Sequence, residues 1–501
     1  MPETTAGRFL VRADRLCAFG FGAVMALGLA PFGLGPLAFL ALIAAIWLGS
    51  KPENARRAAL LGWLTGLGYF GAGLHWIVEP FLVEPAVTGW LAPFGLIGLA
   101  GGLALFWALA FWVAHRMRCG VLGLALSWAL IETLRGFVLT GFPWALVSHI
   151  WSGGAVLHWG SIFGPYGLTL VTLVCAAAPL AAWSAWRTTP VPLAVGLCAL
   201  FVLYGGGVWL GQGQTEIPTD APVLRLVQPN AAQHEKWDPE MMPVFFNRMV
   251  GFSAQTPTPD LVIWPESALP MLLEDAEEAL AFIAEQSGTQ AAIGVQRRGD
   301  HPTLFFNSLV ISDTTGSVRD VYDKHHLVPF GEYMPLPGFW RALGIATLAA
   351  RTEFGYAPGP GPRVMDIEGV GLALPLICYE AVFPRYGRVS GERPDFLLQV
   401  TNDAWFGAAV GPWQHLEQAR MRAIEQGLPL VRVANTGVSA VMDHKGRILG
   451  QIALNTSGYL DHPLPARGAP TIYARFGNIP AGIAFLVLAL VAIGPVRRRL
   501  H

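Results

Sequence analysis

Three side chains in this 501-residue sequence have the types and settings that nucleophilic acyl chemistry requires: Glu266 in "LVIWPESA", Lys324 in "VYDKHHLVPFGEY" and Cys378 in "PLICYEA". Each follows an apolar run that reads as a buried strand, and strand ends are where residues distant in sequence converge on one rim of a sheet. A cysteine thiol is mostly protonated near neutrality, so as a nucleophile it needs a base for its proton and a cation for the charge that develops. Glu266 supplies the first and Lys324 the second. The main-chain N–H of Tyr379 is suited to join Lys324 around a tetrahedral oxyanion. Taken singly, each residue has an ordinary structural reading: a small core thiol, a loop acid, a solvated charge beside Asp323 and Arg319. The three together, in this order, are far more specific.

The elements that must position them lie within residues 212–477, where polarity is ordinary. "VLRLVQPN", "DLVIWPES", "AAIGVQRR", "FFNSLVISD", "GLALPLICYE", "DFLLQVTND" and "LVRVANT" read as strands, mostly buried on both faces. "PEMMPVFFNRMVGFSAQ", "LLEDAEEALAFIAEQSG" and "WQHLEQARMRAIEQG" read as amphipathic helices, the latter two stopped by glycine. Their alternation predicts an α/β sandwich, with helices outside a two-layer strand core.

The rest of the chain is a different material. Overall 53% of residues are hydrophobic and only 13% charged, against roughly 25% in an average soluble domain, and the mean hydropathy is +0.46. Apolar runs near 15–32, 34–49, 57–79, 90–114, 120–136, 161–186, 191–210 and 479–496 are each read as crossing about 30 Å of hydrocarbon. The expected organisation is therefore a membrane domain of seven transmembrane helices over 1–211, an extracytoplasmic domain over 212–477, and an eighth span with a basic tail over 478–501. The first run also has the basic-then-apolar order of a secretory signal, but it continues into further spans without a clear cleavage site.

Lys and Arg set the orientation, because short basic loops stay cytoplasmic. Arg8, Arg12 and Arg15, "KPENARR", "HRMRCG", Arg187 and "VRRRLH" all fall on one side, whereas "APFGLGP" and "EPFLVEPAVTG" carry no base. Both termini are thus expected inside. A net charge of −1 gives no basic face for nucleic acid. The five cysteines show no zinc-like spacing and no disulfide framework, so neither a metal nor another cofactor is expected.

Residues 220–465 resemble the nitrilase, or carbon–nitrogen hydrolase, superfamily, whose catalytic unit is a Glu–Lys–Cys triad in this chain order. With eight spans around such a domain, the whole chain resembles the bacterial apolipoprotein N-acyltransferase family. The residues carrying the resemblance are "WPES" (Glu266), "YDKHHLVPFGEYMP" (Lys324, Glu332), "CYE" (Cys378, Tyr379, Glu380), "TNDAWFG" (from Asn402) and "RVANTGVSAVMD". The resemblance implies a fold of the αββα type and a ping-pong reaction in the inner membrane. An acyl chain passes from a phospholipid, typically phosphatidylethanolamine, to Cys378 as a thioester, and then to the α-amino group of a diacylglyceryl-cysteine apolipoprotein. It also implies that Glu332 positions Lys324, that Tyr379 and Glu380 shape the pocket, and that Trp237 in "EKWDP" lies near its mouth.

Apolar residues after Lys324, "EYMPLPGFWRALGIATLAA", read as a lid or membrane-dipping arm, with a core helix as the alternative. Tyr333, Met334, Leu336, Phe339 and Trp340 are expected to meet substrate, as is Asn402. Residues 135–153 are expected along the outer interface, where aromatics suit headgroup depth. Glu132 and Arg135, costly within a span unless paired, are either an i,i+3 pair or a headgroup contact. A monomer is expected. Two other readings remain at this point: a membrane-tethered amidase, in which water takes the acyl group, and a transporter with an outer ligand-binding domain.

Overall fold

A computed structural model of the chain describes every residue except 1–4, 119, 187–188, 300–303, 336–354, 390 and 498–501. It divides into two units, Met1–Gly213 with Pro470–His501, and Gln214–Ala469.

The first unit is helical. Helices Thr5–Ala26, Gly35–Gly49, Ala55–Gly73, Ala92–Met117, Gly120–Arg135, Gly160–Ala185, Val191–Leu210 and Ile479–Arg497 occupy the apolar runs. Three stretches, Pro85–Met117, Ala155–Ser184 and Val191–Leu210, are by length and composition able to cross a bilayer, and Gly35–Gly49 and Ile479–Val491 are shorter apolar helices. Large apolar side chains such as Phe201, Leu193 and Leu490 point outward, as they do where the solvent is lipid. Small residues let backbones meet: a Cβ on Gly22 would lie 1.9 Å from the Thr65 carbonyl oxygen, and one on Gly68 2.1 Å from that of Phe19.

Glu132 and Arg135 form the i,i+3 pair. The guanidinium donates to both carboxylate oxygens (3.0 and 3.1 Å) and to the carbonyls of Phe142, Trp144 and Ala145. The carboxylate also accepts from Trp107 Nε1 at 2.8 Å and Val147 N at 3.2 Å. Both residues are buried, so the headgroup contact is set aside. In residues 135–153, whose aromatics are expected at headgroup depth, the same bonds turn most of the side chains inward. Trp144, Ala145, Leu146, Val147, Ile150 and Trp151 are all buried, because Arg135 draws their backbone inward and Trp151 Nε1 donates to Thr172 at 3.0 Å. Only Phe137, Val138 and Leu139 of that segment present large apolar side chains outward.

The second unit is built on two sheets. Among the described residues the first has the order β13-β1-β2-β3-β4-β5, with β6 (Gly355–Tyr356) against β4. Its strands are β1 Val223–Gln228, β2 Leu261–Ile263, β3 Gln290–Arg298, β4 Leu304–Ser312, β5 Val318–Asp323 and β13 Gly458–Pro463. The second sheet runs β12-β11-β10-β9-β8-β7, from β7 Met365–Ile367, β8 Gly371–Ile377, β9 Phe396–Thr401, β10 Leu430–Ala434, β11 Ser439–Met442 and β12 Ile448–Ile452. β1, β2 and β3 are parallel neighbours, and so are β8, β9 and β10.

The two-residue period of a strand assigns each side chain to a layer. Leu261 and Ile263 of β2 face the space between the sheets, with Ile377, Leu398, Val400, Val431 and Val433 from the other sheet. Val262, between them, faces out onto helices Met242–Ser253 and Glu277–Ser287, packing with Met249, Leu280 and Ile283. On the far side Leu374, Leu376 and Leu397 pack against helix Gly411–Gln426 through Leu416, Ala419 and Ala423. The unit is thus the αββα sandwich, and burial on both faces is why its strands read as unbroken apolar runs. The two glycine stops hold: Gly288 and Gly427 take left-handed φ values of 69° and 64° at the helix ends.

Candidate active site

Glu266 comes three residues after β2, Lys324 directly after β5, and Cys378 directly after β8. The turn carrying Glu266 is packed tightly on β3. Gly294 is needed there, since a Cβ would lie 2.2 Å from the Pro265 carbonyl oxygen. Cys378 begins a short 3-10 turn with φ of 50°, and Ser267, following Glu266, has φ of 48°. A side chain pays for such a conformation, which surrounding contacts must hold in place.

The structure brings the carboxylate and the ammonium together. Lys324 Nζ donates to Glu266 Oε1 at 3.2 Å and to Glu332 Oε1 at 2.7 Å. Glu332 is fixed in turn by Val328 N, which donates to its Oε2 at 2.7 Å. Asn307 Nδ2 bridges the two carboxylates, donating to Glu266 Oε1 at 2.7 Å and Glu332 Oε1 at 3.3 Å. The second oxygen of Glu266 accepts from the main-chain N–H of Asn402 at 2.8 Å. Lys324 and Glu266 are almost wholly enclosed, with Lys324 only 1% exposed.

Electrostatics divides the charges among these groups. Burial pushes Glu266 up, but the Lys324 ammonium, the Asn307 amide and Lys236 outweigh it and hold the carboxyl below its ordinary range. Burial pulls Lys324 down, yet Glu266 and Glu332 drive it well above a free lysine. For Cys378, burial and then Glu266 raise the thiol, and the opposing pull of Lys324 is smaller. The resting arrangement is therefore a carboxylate, an ammonium and a neutral thiol in one enclosed cluster. A carboxylate in this state is able to accept a proton, and a neutral thiol beside it is able to give one up.

The other expected site residues divide into those that hold the turns of Glu266, Lys324 and Cys378 and those that face space. Glu380 is fully buried and collects donors: Ile377 N at 2.8 Å and Tyr322 Oη at 3.1 Å on one oxygen, His325 N at 2.7 Å and His326 N at 3.3 Å on the other. It ties the turn after Lys324 to the turn of Cys378. Glu380→Gln should lower stability by about 3 kcal/mol, because an amide with one acceptor cannot serve these N–H groups and brings N–H of its own; thermal unfolding of the full chain measures it. Tyr379 is buried, stacked on His326 at 5.7 Å and edge-on to Phe383 at 5.0 Å.

Asn402, expected to meet substrate, directs its side chain to the protein instead. Its amide donates to Gln233 Oε1 at 2.8 Å and accepts from Asn435 Nδ2 at 2.9 Å. Trp237 is 43% exposed and lines a cleft beside Glu266 with Lys236, Met242, Phe245 and Phe246. Met334 is buried and Tyr333 partly so. Leu336, Phe339 and Trp340, with most of the expected lid, lie outside the described residues. No group of three or more His, Cys, Asp or Glu suited to a metal occurs among the described residues.

Sequence reading missed several groups. Lys236 is buried and donates to the Glu266 carbonyl at 3.1 Å, and burial brings its ammonium down to about 8 despite Glu266 and Cys378. Asn307, Gln399, Asp403, His415 and Arg432 are buried too. The available signal was a polar residue inside an apolar strand, as in "FFNSL", "FLLQV" and "LVRVA", where burial demands a partner.

Two family models match this chain: the apolipoprotein N-acyltransferase N-terminal domain over residues 21–178, and carbon–nitrogen hydrolase over residues 227–472. The apolipoprotein N-acyltransferase of Rhodopseudomonas palustris is 39% identical over 503 residues, covering 94% of this chain and 93% of its own length. That of Bradyrhizobium diazoefficiens is 40% identical over 520 residues, with 97% and 95% covered. Among solved structures, an amidase from Nesterenkonia sp. aligns with 54% of this chain and 98% of its own at a TM-score of 0.38 and 18% identity.

Proposed function

This chain belongs to the apolipoprotein N-acyltransferase family, and we propose that within it Cys378 carries the acyl group as a thioester between a phospholipid donor and a lipoprotein amine. In the first half-reaction Glu266 takes the thiol proton as sulfur attacks the ester carbonyl, and Lys324 with the Tyr379 N–H holds the oxyanion. The C–O bond then breaks, Glu266 returns the proton to the departing oxygen, and lysophospholipid leaves. In the second half the α-amino group of a diacylglyceryl-cysteine attacks the thioester. Glu266 takes a proton from that nitrogen, the C–S bond breaks, and the thiolate recovers its proton as the amide forms.

The observation that carries this reading is the 3.2 Å contact of the Lys324 ammonium with Glu266 Oε1, in a buried cluster whose charges both act on the Cys378 thiol. A bacterial inner membrane is the proposed location, with residues 212–477 extracytoplasmic and both termini cytoplasmic. That orientation rests on the loop charges. Phosphatidylethanolamine is the proposed donor and a monomer the proposed working form.

The test is intact-mass measurement of the purified full chain after incubation with dipalmitoyl phosphatidylethanolamine in detergent. One palmitoyl adduct is expected on Cys378, removed by hydroxylamine and discharged when a diacylglyceryl-cysteine peptide is added. An adduct lost equally fast to water would point to a hydrolase, and a folded, unmodified protein would end the thioester reading.

A further inference from the structure

Around the main-chain carbonyl of Cys378 lies a second buried polar assembly that the acyl-transfer steps above do not use. His415, on helix Gly411–Gln426, stands with Nδ1 2.9 Å from Asp403 Oδ1 and Nε2 3.1 Å from the main-chain carbonyl oxygen of Cys378. Gln399, on β9, donates from Nε2 to the same carbonyl at 3.3 Å. Its amide is oriented by Arg432, which donates to Oε1 at 2.6 Å and also pairs with Asp403 Oδ2. Thr401 Oγ1 donates to Asp403 Oδ1 at 2.9 Å. Asp403, His415, Gln399, Arg432 and Thr401 are each fully buried.

Two features make this more than packing. Cys378 sits at φ of 50°, a conformation that a non-glycine residue keeps only when its surroundings hold it. Meanwhile its carbonyl, the atom that φ and the next peptide plane swing, is gripped by groups from β9 and from the outer helix. A buried ion pair of Asp403 with Arg432 costs desolvation that hydrophobic residues of equal volume would avoid, so the assembly calls for a role in orientation.

We propose that the Asp403–His415 pair, with Gln399 and Thr401, is a positioning brace that holds the Cys378 turn so that its thiol meets Glu266 and the acyl carbonyl. The brace acts through the backbone of Cys378 and touches neither lipid. It rests on Cys378 being the acylated thiol. Losing it leaves substrate binding intact but lets the sulfur wander, and misplacement by an ångström costs about 100-fold in rate.

The experiment compares His415→Leu, His415→Gln and Thr401→Val with wild type, using two readouts on the full chain. One is single-turnover acylation by dipalmitoyl phosphatidylethanolamine in detergent, and the other is alkylation of Cys378 by iodoacetamide, which requires no lipid. His415→Leu should slow maximal acylation about 10- to 100-fold with the half-saturating lipid concentration unchanged. His415→Gln, which restores an N–H donor at the position of Nε2, should return the rate to within about 3-fold of wild type, and alkylation should follow the same order. Wild-type rates in His415→Leu, or equal loss in His415→Leu and His415→Gln, overturn the brace. If His415→Leu does not fold, Thr401→Val and His415→Gln decide. Thr401→Val should be slowed about 10-fold, and a wild-type rate there, or a slow His415→Gln, overturns it. Should wild type itself resist acylation while iodoacetamide still labels it, the phospholipid reading fails, and the alkylation rates alone judge the brace.

Discussion

Cys378→Ala is expected to lower lipoprotein N-acylation by on the order of 10⁴-fold or more, since removing a nucleophile removes the covalent route itself. The same change should barely affect folding. Only a sulfur is lost, from a site already 5% exposed, and the turn that holds Cys378 is fixed by main-chain and Glu380 contacts that alanine retains. A midpoint of thermal unfolding within a few degrees of wild type, together with absence of the palmitoyl adduct, is the expected pair of results. Retained N-acylation in this variant would remove the nucleophile assignment.

Lys324→Met should do two things at once, and the second separates it from the cysteine variant. Acyl transfer should vanish with the oxyanion cation. Stability should also fall, by about 3–5 kcal/mol, because taking one partner out of a buried charge cluster leaves the others uncompensated: Glu266 and Glu332 would then share the Asn307 amide with no ammonium between them. The pH dependence should change sign. In wild type the Glu266 carboxyl is held below its ordinary range, so its contribution is present above about pH 4.3 and is lost as pH falls through the lowered folded value. Without Lys324, burial of the Glu266 carboxyl is no longer outweighed by that ammonium and is expected to raise it above the unfolded range, where stability is present at low pH and lost as pH rises. Unfolding measured across pH 4–8 should therefore show the variant gaining on wild type toward acid. Lys324→Met with Glu332→Gln should recover stability without activity. A variant as stable as wild type at every pH would mean the cluster is not held by charge.

The brace and the triad differ in what a substitution leaves behind. In the proposed mechanism Cys378 and Lys324 meet the reacting atoms, so no conservative change at either should restore the rate. A positioning residue such as His415 is replaceable by any side chain that puts a donor at the same carbonyl. This is why the glutamine variant, rather than the loss-of-function variant, is the informative one.

How much of this was legible beforehand depends on whether the signal was local. Apolar runs buried on both faces marked β1 to β4 and β8 to β10, and glycine marked the ends of two helices at Gly288 and Gly427, because periodicity and left-handed caps are properties of a few consecutive residues. The order of Glu266, Lys324 and Cys378 was legible for the same reason, each following its own strand. β11, β12 and β13 escaped notice: "SAVM", "ILGQI" and "GYLDHP" are short or half-exposed, and β13 is a strand chiefly because it pairs with β1 more than 200 residues away. Residues 142–151 look interfacial by composition, yet Arg135 draws them inward through carbonyl bonds that no hydropathy pattern records. What the tertiary structure alone decided is the set of partners. Asn307 reaches Glu266 across 41 residues and Asn402 reaches it across 136, while His415 returns 37 residues to Cys378. A buried polar side chain must be satisfied, and sequence states that need; only the folded chain shows which group meets it.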